Sequence, residues 1–224
     1  MKIRILLKTY LQFVFQDFLY LTMLFSIIVF GLTADHLLNI DSNEKYSLLL
    51  IGMFFLSLFS TMNLYRNDKN YNHYLKQKVN NYWAEVISQF LTVIILNVIS
   101  GILIFIFSLI LNEDILLDTV GTLSLISVGL VGSSIATLFQ SQWQTHTSVG
   151  QVGTLVFVYL ALSGSVISFF SYIEWLLPPL SKMIVSLHNN SSIIKLLPVS
   201  GQGFLYALVL FIISCFIYKK NKKS

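Results

Sequence analysis

From Ile94 to Leu111 the chain is apolar at nearly every position, interrupted only by Asn97, Ser100, Gly101 and Ser108. A strand of a membrane barrel alternates apolar and polar residues over short segments, and this run does not alternate. A helix closes its own backbone hydrogen bonds, which an isolated strand in lipid cannot do, so the run predicts a helix. Crossing a hydrocarbon core takes about 20 apolar residues in helix, within a working range of about 17 to 25. Five segments meet that requirement: Phe18 to Ala34, Tyr46 to Tyr65, Val86 to Asn112, Thr119 to Phe139 and Val149 to Ile173. A sixth, Gly201 to Tyr218, is short but ends on a lysine cluster whose side chains can snorkel to the headgroups. The expectation is an all-α polytopic membrane protein with six transmembrane helices, forming one transmembrane domain over residues 1–224.

Composition excludes the soluble alternative. Only 11% of the 224 residues are charged and 55% are hydrophobic, with a mean hydropathy of +0.75. Soluble domains run near 25% charged, so this chain cannot cover a water-facing surface with polar groups. The net charge of +4 does not point to nucleic acid, because the basic residues lie in patches separated by apolar runs. They suit loops beside anionic lipid. The single cysteine, Cys215, lies in the last apolar run and excludes an internal disulfide. Asp17 interrupts the first apolar stretch and no small-residue cleavage site follows, so the first segment is expected to be a retained helix.

The loops set an orientation. Lys2, Arg4, Lys8, Arg66, Lys69, Lys76, Lys78, Lys219, Lys220, Lys222 and Lys223 fall on one side with Asp17, Asp68 and Glu85. Lys45, Lys182 and Lys195 fall on the other with seven acidic residues. Basic residues collect on the cytoplasmic side. Both termini are therefore expected in the cytoplasm, and an even number of spans follows. All formal charges lie outside the six expected spans.

Three segments depart from simple spans and loops. Residues 5–16 carry Ile5, Leu6, Leu7, Leu11, Val14 and Phe15 as a broad apolar stripe beside a polar face. This fits a helix in the cytosolic interface or an extension of the first span. The loop from Arg66 to Glu85 is the longest polar stretch, with Tyr71, Leu75, Lys78 and Tyr82 on one side of a helical projection and Tyr74 beside Leu75. An aromatic amphipathic helix there is either an interfacial anchor or a docking element for a partner. Residues 175–200 are too apolar for an external loop, yet Pro178, Pro179, the turn at 188–192 and Pro198 divide them into two short stretches. Neither is long enough to cross, so a re-entrant or interfacial hairpin between helices five and six is expected.

Polar residues inside the spans serve packing in the first instance, since small residues let helices approach and hydroxyls bond neighbouring carbonyls. Gly129, Gly132, Ser133 and Ala136 suit that role. Gln89 and Asn97 are candidates for a translocation path, because a buried amide needs more partners than a hydroxyl. No ionisable residue lies deep in an expected span, which argues against an ion-coupled carrier. No phosphate-binding loop, HExxH or GxSxG occurs, and His36, His73, His146 and His188 are scattered over four loops. The chain is expected to be no enzyme, with no catalytic residue, metal or cofactor of its own.

The order of these features resembles the ABC-2 type permeases, the membrane subunits of many ATP-binding cassette exporters. The resemblance rests on layout: an interfacial helix at residues 5–16, a coupling helix between spans two and three at NDKNYNHYLKQKVNNY (67–82), and a hairpin at 175–198. Many family members carry a stretch resembling E-x-G-T before the coupling helix and a proline-containing turn after it. This chain has Arg66-Asn67-Asp68-Lys69 and no proline there, which sets it apart from the common drug-exporter branch.

The resemblance implies two permease subunits, identical or homologous, with two copies of a cytosolic ATP-binding cassette ATPase. That partner would bind ATP and Mg and hydrolyse the ATP. Tyr71, Tyr74, Leu75, Lys78 and Tyr82 would dock in the ATPase groove. The 18 Phe and 11 Tyr offer an apolar wall for a hydrophobic or amphipathic cargo, with a short peptide preferred over a lipid, drug or heme-related one. The Asn-, Lys- and Ile-rich composition fits the cell membrane of a bacterium with an AT-rich genome. A non-transporting membrane partner, such as an immunity or assembly protein using the 67–82 loop, is the competing expectation.

Overall fold

A computed structural model of the chain describes residues 2–38, 42–71, 77, 79, 81–110, 115–142, 147–164, 177–188 and 196–221. Among them the architecture is entirely helical: α1 (Lys2–Phe15), α2 (Phe18–Leu38), α3 (Ser42–Tyr71), α4 (Tyr82–Ile110), α5 (Ile115–Gln142), α6 (Thr147–Ser163), α7 (Leu180–His188) and α8 (Leu196–Asn221). Four of these, α3, α4, α5 and α8, are long and apolar enough to cross a membrane. A fifth crossing results if α1 and α2, bent by 64°, are counted as one broken span. The outer surface carries Phe18, Phe25, Ile110, Leu205 and Phe216, all more than 60% exposed. A water-soluble monomer does not display apolar surface on that scale. The chain is a polytopic membrane protein.

Side-chain chemistry sets several of the helix boundaries. Asp17 sits at the bend between α1 and α2, where its Oδ1 accepts the Leu19 amide at 3.1 Å and caps α2. The residue that interrupts the apolar run is thus the one that starts the next helix. Asn81 does the same for α4, its Oδ1 accepting from the Ala84 amide at 3.3 Å. The Pro179 carbonyl accepts from the Met183 amide at 3.1 Å at the start of α7.

α1 buries Leu6, Tyr10 and Val14, one row at four-residue spacing, against α3 and α4, and leaves Ile3, Ile5 and Phe15 exposed. The broad stripe expected from the sequence divides between protein and lipid. At the end of α1, the Lys2 ammonium donates to the Val79 carbonyl at 2.8 Å.

α5 is the centre of the bundle, packed against α3, α4, α6 and α8. Small residues permit this. A Cβ on Gly132 would stand 2.6 Å from the Phe54 carbonyl oxygen and 2.7 Å from Ser57 Oγ, so α3 and α5 approach backbone to side chain. The serines behave as packing residues that satisfy themselves: the hydroxyls of Ser100, Ser124, Ser200 and Ser214 each donate to the carbonyl four residues back.

Three boundaries differ from expectation. α3 continues to Tyr71 and α4 begins at Tyr82, so both ends of the expected 66–85 loop are helical. α8 starts at Leu196, and Pro198, expected to break the segment, lies within its first turn, where a missing amide costs no helical hydrogen bond. The expected 175–200 hairpin is represented by α7, whose Leu180, Met183 and Leu187 are buried where it packs on α3, α6 and α8. Residues 189–195 lie outside the described residues, as do 165–173 of the expected fifth span. α6 is described over 17 residues.

Candidate functional site

One face of α4 carries a polar seam: Glu85, Ser88, Gln89, Thr92, Asn97, Ser100 and Ser108 are all buried. Their helical spacing places them along a single side, turned into the bundle, while Ile87, Leu91, Ile94, Ile102 and Ile106 face outward.

The end of the seam nearest the chain termini carries the charge. Gln89 Nε2 donates to Asp68 Oδ2 of α3 at 2.9 Å, and the Tyr218 hydroxyl of α8 donates to Glu85 Oε2 at 3.3 Å. Asp68 and Glu85 are 3% and 1% exposed. Tyr10 of α1 faces Asp68, and burial, with that carboxylate adding to it, pushes the phenol above its ordinary titration range. Four helices, α1, α3, α4 and α8, thus converge on two carboxylates.

In the middle, Asn97 Nδ2 donates to the Val93 carbonyl at 2.9 Å and to Ser133 Oγ of α5 at 3.0 Å. The amide lies against Gly129 and Met53, in a space that a larger residue at 129 would close. Tyr20 of α2 reaches Ser100, oxygen to oxygen, at 2.8 Å. At the far end, Asp118 of α5 accepts from the Tyr46 hydroxyl of α3 at 2.5 Å and from Ser108 Oγ of α4 at 2.7 Å. Asp118 and Lys45 are both fully buried.

The chain matches no protein-family model and no curated protein. Function must be argued from this geometry.

Of the residues singled out in sequence, Gln89 and Asn97 share the seam, and each bonds a neighbouring helix. The space beside Gln89, bounded by Tyr65, Thr137, Ser214 and Tyr218, measures about 10 Å³, room for one water at most. Both amides join helices in this structure. Tyr82 begins α4, donates its hydroxyl to the Cys215 carbonyl at 2.5 Å and stacks on Tyr218 with ring centres 5.6 Å apart. It ties α4 to α8. Tyr71 closes α3, while Tyr74, Leu75 and Lys78 lie outside the described residues.

Sequence reasoning passed over Tyr10, Asp68, Glu85, Asp118 and Tyr218. Asp68, Glu85, Lys45 and Asp118 all lie outside the spans expected from the apolar runs. Continuing the helices outward, however, carries them into the bundle. The signal available was the i, i+4 relation of Glu85 to Gln89, which sets the carboxylate on the same face as the amide.

Proposed function

We propose that the chain is the membrane-spanning permease subunit of an ATP-binding cassette exporter. In this role it moves a hydrophobic or amphipathic cargo, preferentially a short peptide, out of a bacterial cytoplasm. The observation that carries the proposal is the arrangement of the chain's two unusual helices. α1 meets the first apolar helix α2 at 64°, as a helix at the membrane surface would, and the short α7 is packed into the bundle just ahead of the last span. A six-span arrangement, with both termini cytoplasmic and a hairpin before the last span, completes the layout.

A separate cytosolic subunit supplies ATP hydrolysis, docking on the segment from Tyr71 to Tyr82, and a second permease copy or homologue completes the path. The convergence of α1, α3, α4 and α8 on Asp68 and Glu85 lies next to that segment. In this reading the docked subunit acts on the four helices that meet at these two carboxylates.

The test is co-purification from lipid with an ATP-binding cassette ATPase subunit of the same genome, followed by its hydrolysis rate with and without the chain. Association and a changed rate are expected, and both are expected to disappear in Y74D/L75D while membrane insertion persists. Failure of wild type to associate with or alter any such subunit overturns the proposal.

One observation favours a second reading, a non-transporting membrane partner: Gln89 and Asn97 are both engaged within the chain, and the space beside Gln89 has room for one water at most. Under that reading the chain binds its partner without stimulating ATP hydrolysis.

A further inference from the structure

Beside the seam, on the flank of α4 that faces α8, lies an apolar groove. α4 and α8 touch through Tyr82 with Tyr218 and through Phe90 with Phe211, whose ring centres are 4.9 Å apart. Along the lipid side of these contacts the two helices diverge over Leu130 of α5, leaving a volume of about 640 Å³. That falls within the ~300–1,000 Å³ typical of small-ligand sites. Its walls are mostly Phe, Ile and Leu side chains, with Cys215 near one mouth, and among the described residues its one charged lining residue is Lys219 at that mouth, with Trp83 on the facing rim.

We infer that this groove binds one acyl chain of an anionic phospholipid from the leaflet beside the chain termini. Three observations support that occupant. On α4 the lining runs from Trp83 to Ile94, which at 1.5 Å per residue is about 16 Å. On α8 it runs from Phe204 to Lys219, about 22 Å; both walls are shorter than the ~30 Å hydrocarbon core, so the groove takes an acyl chain entering from one leaflet and does not extend over the length of a transmembrane helix of a second copy. The polarity is graded the same way, with a cation and an indole at the mouth, the Cys215 thiol one turn further in and hydrocarbon side chains beyond it, as at a headgroup boundary. Finally, Lys219 places positive charge at that mouth, complementary to an anionic headgroup. The inference does not depend on the exporter proposal, since a lipid site of this kind serves a permease and a non-transporting protein alike.

The test uses Trp83 as reporter. With Trp143 and Trp175 replaced by Phe, the full chain is reconstituted in phosphatidylcholine vesicles containing brominated phosphatidylglycerol or brominated phosphatidylcholine. The anionic lipid is expected to quench Trp83 at about one fifth the mole fraction needed for the zwitterionic one, the ratio given by ~1 kcal/mol per lysine at the surface. K219Q removes most of that ratio. L208F/I212F, which fills the groove from its exposed wall, removes the preferential quenching, while L205F, on the lipid face of α8 outside the groove, leaves it intact. Equal quenching by both lipids, or a preference indifferent to both K219Q and L208F/I212F, overturns the inference. So does quenching that falls as protein density rises, which assigns the groove to a second copy. Should the double Trp variant fail to insert, mass spectrometry of the native-sequence protein released from the same vesicles reads the same ratio. Retention of phosphatidylglycerol over phosphatidylcholine, reduced in K219Q, is expected, and equal retention overturns the inference.

Discussion

The middle of the bundle and its two ends are held together by different chemistry. In the middle, α3, α4 and α5 approach over Gly129 and Gly132 and exchange only neutral hydrogen bonds, from Asn97 to Ser133 and from Ser133 to the Ser57 carbonyl at 3.4 Å. At the ends the polar groups are buried carboxylates: Asp68 and Glu85 at one, Asp118 at the other. The difference follows bilayer depth. A charge at the centre of the hydrocarbon has no water within reach, whereas one near a helix end is desolvated by protein while the interface remains close. The middle therefore relies on shape and the ends on charge-assisted bonds.

That contrast makes quantitative predictions for thermal unfolding in detergent. The largest effect is expected in the middle, from shape. G132L forces a side chain into the Phe54 carbonyl and Ser57 and should cost about 3 kcal/mol, the upper range for overpacking. Next is an end. D118A strands the Tyr46 and Ser108 hydroxyls and should cost about 2–3 kcal/mol, with D118N recovering part of this by keeping an acceptor. The neutral bond of the middle is worth less. N97A should cost about 0.6–1.7 kcal/mol, the range measured for hydrogen bonds between membrane helices. A cost for N97A above that of D118A would break the comparison. The smallest effect has the opposite sign. At Gly201 of α8 an added Cβ meets nothing within 4 Å, so G201A should stabilise by up to about 1 kcal/mol, through helix propensity alone. Destabilisation there would mean that α8 meets a surface absent from the isolated chain.

Much of the fold was legible in the sequence because lipid imposes a simple length rule. The runs 46–65, 119–139 and 201–218, and the described part of 86–112, lie in long helices, and the polar break at Asp17 separates α1 from α2. Packing of Gly132 and Ser133 at a helix contact was legible for the same reason. What composition could not show is where a helix stops once it leaves the apolar run. Asp68 and Glu85 continue α3 and α4 as helical residues, and partners on other helices, among them Gln89 and Tyr218, hold them inward. Those pairings join residues far apart in the chain and are invisible to any local window. Pro198 misled for a related reason: proline breaks a helix interior but is tolerated in a first turn, and the choice depends on where the helix begins. The partner of Tyr82 was equally hidden, because its hydroxyl bonds a backbone carbonyl, at Cys215, whose presence no side-chain pattern announces.

The central functional claim is that this bundle forms the passive half of an ATP-driven exporter. Its most direct test is accumulation of a labelled hydrophobic peptide in inside-out vesicles containing the chain and an associated ATP-binding cassette ATPase. The account predicts accumulation that requires chain, ATPase and ATP together and is lost in Y74D/L75D. Accumulation that proceeds equally without the chain, or its absence when an associated ATPase is hydrolysing ATP across a panel of peptide, lipid and drug cargoes, would contradict it.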